Sequence, residues 1–167
     1  MVAKALGVGA IGVKALEDLV EVAGDAATVG VPGKQTLAPV VKRVKPAVVS
    51  IRSFGASQLP NFMDGGTPRG VGSGFIIDAK GIVVTNHHVV ASAGKLEVRL
   101  SDGRRFEAKV LGSDPESDLA VLELQDVGKA KLPTVKFGSS DKMEVGDFVI
   151  AMGSPMGLEH TVTTGIV

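Results

Sequence analysis

The chain has 167 residues, 44% of them hydrophobic, enough for one ordinary domain with a packed core and too apolar for extensive disorder. Eighteen basic residues balance eighteen acidic ones, which argues against the net basic footprint of a nucleic-acid binder, and the absence of Trp and Tyr removes the usual base-stacking platforms, though six Phe remain. With no cysteine there is no disulfide framework and no thiolate metal site, and no apolar run is long enough to span a bilayer.

The first 34 residues differ from the rest. "MVAKALGVGAIGVKALEDLVEV" has an early Lys and a short apolar stretch. Lys14, Glu17 and Asp18 interrupt it where a cleavage site should follow, so no clear signal peptide is read. Leu16, Leu19, Val20 and Ala23 recur at helical spacing, with Glu17, Asp18 and Glu21 on the other face. "GVGAIG", Gly7 to Gly12, matches the glycine pattern of a dinucleotide loop. The strand that should follow, "ATVGV", runs into Pro32 with no acidic residue, and no further parallel strand–helix–strand units come after it. No cofactor is therefore expected, and the segment reads as a small-residue extension or linker over residues 1–34.

"TLAPVVKRVKP" predicts a short helix, with Thr36 as cap, Pro39 in the first turn and Pro46 as the stop. From Ala47 the pattern changes to strands. "AVVSIRSF" is short and β-branched, and the Gly/Pro-rich "ASQLPNFMDGGTPRG" reads as a long loop. "GVGSG", Gly70 to Gly74, lacks the Lys and Ser/Thr of a phosphate loop and reads as a strand entry where backbones approach closely. "GFIIDAKGIVVT" is a hairpin with Gly81 at the position that needs a positive φ. In "KLEVRLSDGRRFEAKV", Leu96, Val98 and Leu100 alternate with charged residues. After Asp102-Gly103, Phe106, Ala108 and Val110 do the same, as in a half-buried antiparallel pair. "LAVLEL", "DFVIAM" and "TVTTGIV" add three strands. Short strands with frequent turns and no long helices between them predict a mainly β, antiparallel, closed or sandwiched domain.

Two of the three histidines stand together in "TNHHVV". A zinc site from His87, His88 and His160 is disfavoured, because adjacent histidines lack the i, i+4 spacing of a helical ligand pair, so no metal is expected. A histidine that ends an apolar strand can act as a general base if a carboxylate orients it. Asp118 immediately precedes Leu-Ala-Val-Leu and suits that task; Asp114, before Pro115, reads as a solvated turn residue. On spacing alone, a surface histidine and a strand-initiating aspartate explain the pair as well as catalysis does.

"GSGFIIDAKGIVVTNHHVV", "DPESDLAVLEL" and "GDFVIAMGSPMGLEHTVTTGIV" follow one another in the order and spacing of the HtrA (Deg) family of trypsin-like serine endoproteases. "TLAPVVKRVKPAVVSI" resembles the helix and first strand that open its protease domain, so the resemblance covers about residues 36–167. It implies a chymotrypsin-like fold: the first antiparallel β-barrel over residues 35–145, and the opening strands of the second over 146–167. It also implies His88 as base, with His87 as the variable neighbour, and Asp118 as the orienting acid. The serine of this family lies in Gly-Asn-Ser-Gly-Gly, beyond the "TVTTGIV" strand. No Gly-x-Ser-Gly-Gly occurs in these 167 residues; Ser73, Ser139, Ser140 and Ser154 stand in the wrong elements. The oxyanion-hole amides flank that serine, and the peptide-binding PDZ modules of the family have no counterpart here either.

The expectation is therefore a truncated endoprotease with base and acid but no nucleophile, unable to hydrolyse peptides alone. A non-enzymatic binding or scaffold protein that retains half of the protease fold is the alternative. The resemblance further implies unfolded or misfolded protein substrates, protein quality control, the bacterial periplasm or cell envelope, and the trimers common in the family. Unpaired edges on the last two strands predict self-association or capture of a complementing segment.

Overall fold

The computed structural model describes residues 36–55, 70–153 and 161–167. Helix α1 (Ala38–Val44) is followed by a 3₁₀ turn (Lys45–Ala47). Six strands come next: β1 (Val48–Phe54), β2 (Gly70–Asp78), β3 (Ile82–Thr85), β4 (Lys95–Arg99), β5 (Arg105–Asp114) and β6 (Leu119–Leu124). A single helical turn, α2 (His87–Val90), separates β3 from β4. β7 (Phe148–Gly153) and β8 (Thr161–Ile166) form a separate two-stranded sheet. The helical pattern of residues 16–23, the "GVGAIG" segment, His160 and nearly all of the long loop fall outside the described residues. Among the described residues no helix is long and apolar enough to cross a membrane.

β1 to β6 close into an antiparallel barrel in the order β1-β2-β3-β6-β5-β4, with β4 returning to β1. Closure leaves this sheet without a free edge. The predicted alternation sets the inside. Val49 and Ile51, Ile76, Val83, Leu96 and Val98, and Ala120, Leu122 and Leu124 are buried together, with Val89, Val90, Leu100 and Leu132 closing the core. Val48 faces the other way, into a smaller cluster with Ile150 and Met152 beneath Leu37, Val40, Val41 and Val44. This second cluster seats α1 and β7 on the barrel wall.

The turns have the expected chemistry. Gly81 takes φ +100 and Gly103 φ +90, a region side chains disfavour. Asp78 Oδ1 accepts the Lys80 amide at 2.7 Å, and Asp102 accepts both the backbone amide and the guanidinium of Arg104. The start of the first helix differs from its sequence expectation. Leu37, not Thr36, occupies the cap position and makes no side-chain cap bond, while the Thr36 hydroxyl accepts the Ala38 amide at 3.3 Å.

"GVGSG" lies within β2 and not merely at its entry, and close approach is what its glycines allow. A Cβ on Gly72 would lie 2.4 Å from Val89 Cγ2, and one on Gly74 would lie 2.8 Å from both Ile51 Cδ1 and the Val84 carbonyl oxygen. β5 runs four residues past Val110, and a bulge between Val110 and Gly112 shifts its register against β6. On the β7–β8 sheet, Phe148 pairs with Ile166 and Met152 with Val162. Ile150 and Met152 are buried, but Phe148 (65%) and Ile166 (66%) leave the outer end of the same apolar face open.

Candidate active site

Register explains why two residues thirty apart meet. β3 and β6 pair as Val84 with Val121 and Thr85 with Ala120. Two steps further along the same antiparallel register, His87 falls opposite Asp118, and the His87 amide donates to the Asp118 carbonyl oxygen at 3.1 Å. The ladder thus runs past the end of the strand and delivers Asn86, His87 and His88 to the rim of the barrel beside Asp118. There the chain leaves the extended conformation. Asn86 has φ -85 and ψ 147, and the following turn of helix directs Val89 and Val90 into the core while His88 stays on the surface.

Asp118 holds this turn through both its carbonyl oxygen and its carboxylate. Its Oδ1 accepts the His88 amide at 3.0 Å, and its carboxylate faces His88 Nδ1 at 3.0 Å from Oδ1 and 2.8 Å from Oδ2. Asn86 Nδ2 donates to the Asp118 carbonyl oxygen at 3.1 Å and to Oδ2 at 3.3 Å. To aim both carbonyl and carboxylate at one segment, Asp118 adopts φ +56. Aspartate enters this left-handed region more readily than most side chains, at a cost of about 1–3 kcal/mol.

Electrostatics follow from these bonds. Partial desolvation pushes the Asp118 carboxyl up, but the His88 amide, ring and charge, together with Asn86, outweigh it and hold the group below its ordinary value. Asp118 is therefore a carboxylate at neutral pH. As an acceptor beside Nδ1 it favours the tautomer with hydrogen on that nitrogen, which leaves the Nε2 lone pair of the half-exposed His88 directed away from the pair.

The sequence candidates separate clearly. His88 and Asp118 are brought together. His87 is not part of the pair: its backbone is bonded to Asp118, and its Nδ1 is buried without a hydrogen-bond partner. Asp114 is exposed, and its carboxyl is held low chiefly by the Ser117 hydroxyl, then by the Glu116 amide. Ser73 is buried in β2, Ser139 donates to Asp141 at 3.4 Å, and Ser154 lies outside the described residues. Asn86 is the participant that sequence reasoning missed; its place before the histidines in "TNHH" was the available signal.

A closed antiparallel β-barrel with an aspartate-bound histidine at its rim is the architecture expected of a trypsin-like peptidase domain. The comparison with protein families agrees: the chain belongs to the trypsin-like peptidase domain family, whose model matches residues 72–167. It is 43% identical over 148 residues to the periplasmic pH-dependent serine endoprotease DegQ of Escherichia coli, a match covering 79% of this chain and 32% of that protein. It is 55% identical over 97 residues to a probable periplasmic serine endoprotease DegP-like of Ectopseudomonas mendocina, covering 58% of this chain and 20% of the relative. A probable periplasmic serine protease do/HhoA-like of Haemophilus influenzae is 40% identical over 162 residues, covering 80% and 34%. The chain spans no more than about a third of the length of these relatives.

Proposed function

We propose that this chain supplies the base and acid of an HtrA-type serine endopeptidase site. His88 Nε2 takes the proton of an attacking serine hydroxyl and later returns it to the leaving amine. Asp118 keeps the ring in the Nδ1–H tautomer and stabilises the imidazolium without itself becoming protonated. The nucleophile and the oxyanion-hole amides come from sequence beyond these 167 residues, in which no Gly-x-Ser-Gly-Gly is present. In this reading residues 35–145 are the first barrel unit and 146–167 open the second. The place of action is the bacterial periplasm, as the names of the relatives suggest, and the family resemblance suggests unfolded or misfolded polypeptides as substrates and protein quality control as the role. The apolar end of the β7–β8 face is a contact for the rest of the second barrel or for another copy, with trimers as the expected assembly.

The observation that carries this reading is the double grip of Asp118 on His88, through ring and backbone together. It can be tested by exchange. Residues 36–167 are transplanted into a complete relative in place of the matching segment, and casein cleavage and fluorophosphonate labelling are measured. The chimera should be active, and His88→Ala in it should lower kcat by about 10⁴-fold or more. A His88→Ala chimera with unreduced turnover would end the proposal. The 167-residue chain alone should take up no fluorophosphonate; stoichiometric labelling would reveal a nucleophile within it.

A further inference from the structure

Asp114 ends β5 and pairs with Leu119, the first residue of β6. Only Pro115, Glu116, Ser117 and Asp118 close the hairpin between them. The bulge at Leu111 sets this arrangement: the β5–β6 register shifts by one residue between Val110 and Gly112, which brings Asp114 opposite Leu119 in place of Ser113. The Asp114 carboxylate then closes the turn onto itself. Oδ1 accepts the Glu116 amide at 3.0 Å, and Oδ2 accepts the Ser117 amide at 3.2 Å and the Ser117 hydroxyl at 2.6 Å. Pro115 fixes its own φ and keeps Asp114 extended, so the turn enters from one direction. The residue that follows these bonds is Asp118, at φ +56.

We propose that Asp114 is a positioning residue for the His88–Asp118 pair, a role that rests on the reading of that pair given above. The left-handed conformation at Asp118 is what lets its carbonyl meet Asn86 and His87 while its carboxylate meets His88. A solvated Asp118 alone does not hold that conformation; the three bonds to Asp114 fix the two residues before it and leave the chain no slack to relax. Asp114 touches neither the histidine ring acting as base nor a substrate. It acts through Asp118, and its apparent status as an ordinary turn residue conceals this.

The test uses the ¹⁵N-labelled chain as the wild type and as Asp114→Ala, Asp114→Asn, Ser117→Ala and Asp118→Asn. Two quantities are read: the tautomer of neutral His88 from long-range ¹H–¹⁵N spectra, and the exchange rates of the His87 and His88 amides, both of which donate to Asp118. Amides of Val84 and Ala120 in the adjoining ladder serve as controls. Asp114→Ala should abolish the preference for Nδ1–H and speed exchange at His87 and His88 about tenfold, the scale of one lost hydrogen bond, with the controls unmoved. Asp114→Asn keeps an acceptor for the Glu116 amide and a donor for the Ser117 hydroxyl but sets its NH2 against the Ser117 amide, so it should fall between the wild type and Asp114→Ala in both quantities, and an Asn variant worse than Ala would count against the proposal. An Asp114→Ala chain with wild-type tautomer and exchange overturns the proposal. If that variant does not fold, Ser117→Ala decides: it removes only the 2.6 Å bond, and unchanged exchange at His87 and His88 again overturns it. Failure of the underlying reading looks different: the wild type itself then shows Nε2–H, and Asp118→Asn changes nothing.

Discussion

Gly72 is the most demanding position in the barrel, and Gly72→Ala should both destabilise the fold and disturb the His88–Asp118 pair. The new Cβ would lie 2.4 Å from Val89 Cγ2, 2.7 Å from Cγ1 and 3.1 Å from Cβ. Carbon atoms prefer about 3.5–4.0 Å, so the overlap is about 1 Å. Rotation about χ1 cannot relieve it, because both methyl groups and the branching carbon are too close and valine is stiff at this bond. The α2 backbone has to move instead. Overpacking of this kind costs about 1–3 kcal/mol. The φ of Gly72 lies outside the positive range, so alanine brings no backbone strain of its own, and the whole cost is packing. Val89 follows His88 directly, and a displacement of about 1 Å would stretch the 2.8 Å Nδ1 to Oδ2 contact beyond hydrogen-bonding range.

The test is a double-mutant cycle of Gly72→Ala and Val89→Ala. Val89→Ala alone removes two buried methyl groups and should cost about 1.5–2 kcal/mol. In the double variant the added methyl has space, so the two changes should compensate by about 1–3 kcal/mol. Urea denaturation followed by far-UV circular dichroism suits this chain, which has no Trp or Tyr for fluorescence. Effects that add to within about 0.5 kcal/mol would refute the packing argument. So would a Gly72→Ala chain whose neutral His88 keeps the wild-type tautomer, since the displacement of α2 would then not have occurred.

Other consequences can be checked alongside. The carboxyls of Asp102, Asp114 and Asp118 are all held below their ordinary value, Asp102 chiefly by the Arg104 side chain. A depressed folded-state value contributes stability above the unfolded value of about 3.9 and loses it as pH falls through the folded one. Stability should therefore hold down to about pH 4 and decline below it. Asp102→Asn should make that decline shallower in acid titrations; an identical slope would contradict the linkage. Gly103 has φ +90 with nothing within 4 Å of an added Cβ, so Gly103→Ala should cost about 1–2 kcal/mol from conformation alone. Gly112→Ala, with neither a positive φ nor a neighbour, should stay within about 0.5 kcal/mol, and equal urea midpoints for the two would show that φ is not the cause. Phe148→Asp with Ile166→Asp should shift the chain toward monomer in multi-angle light scattering, and an unchanged mass would remove the β7–β8 face as a contact.

Much of the barrel was legible because its signals are local. Alternation in "KLEVRL" and "RFEAKV" fixes which side chains face inward, and Gly81 and Gly103 mark the turns their φ values require. The His88–Asp118 pair was legible only in part. Pairing of β3 with β6 joins Thr85 to Ala120 and Ile82 to Glu123, far apart in the chain, and nothing local announces it; motif resemblance supplied what spacing could not. Two features were hidden for physical reasons. Half of the helical turn at "HHVV" is the β-branched pair Val89 and Val90, which favour strands, and tertiary bonds to Asp118 override that preference. The bulge at Leu111 has no side-chain signature, since its cause is register against a strand not yet in view.

The same register argument bears on how the site is assembled. Asp118 and His88 are joined through β3 and β6, two neighbouring strands of one closed barrel, and every group that fixes them belongs to residues 86–118 or to the core beneath. Nothing in their geometry draws on the β7–β8 sheet. Among the described residues the His88–Asp118 pair is thus held by a single barrel. A serine delivered from a second unit would meet a ring already oriented and a carboxylate already ionised. Under the proposed function, control would then fall on the approach of that second unit and not on the pair itself.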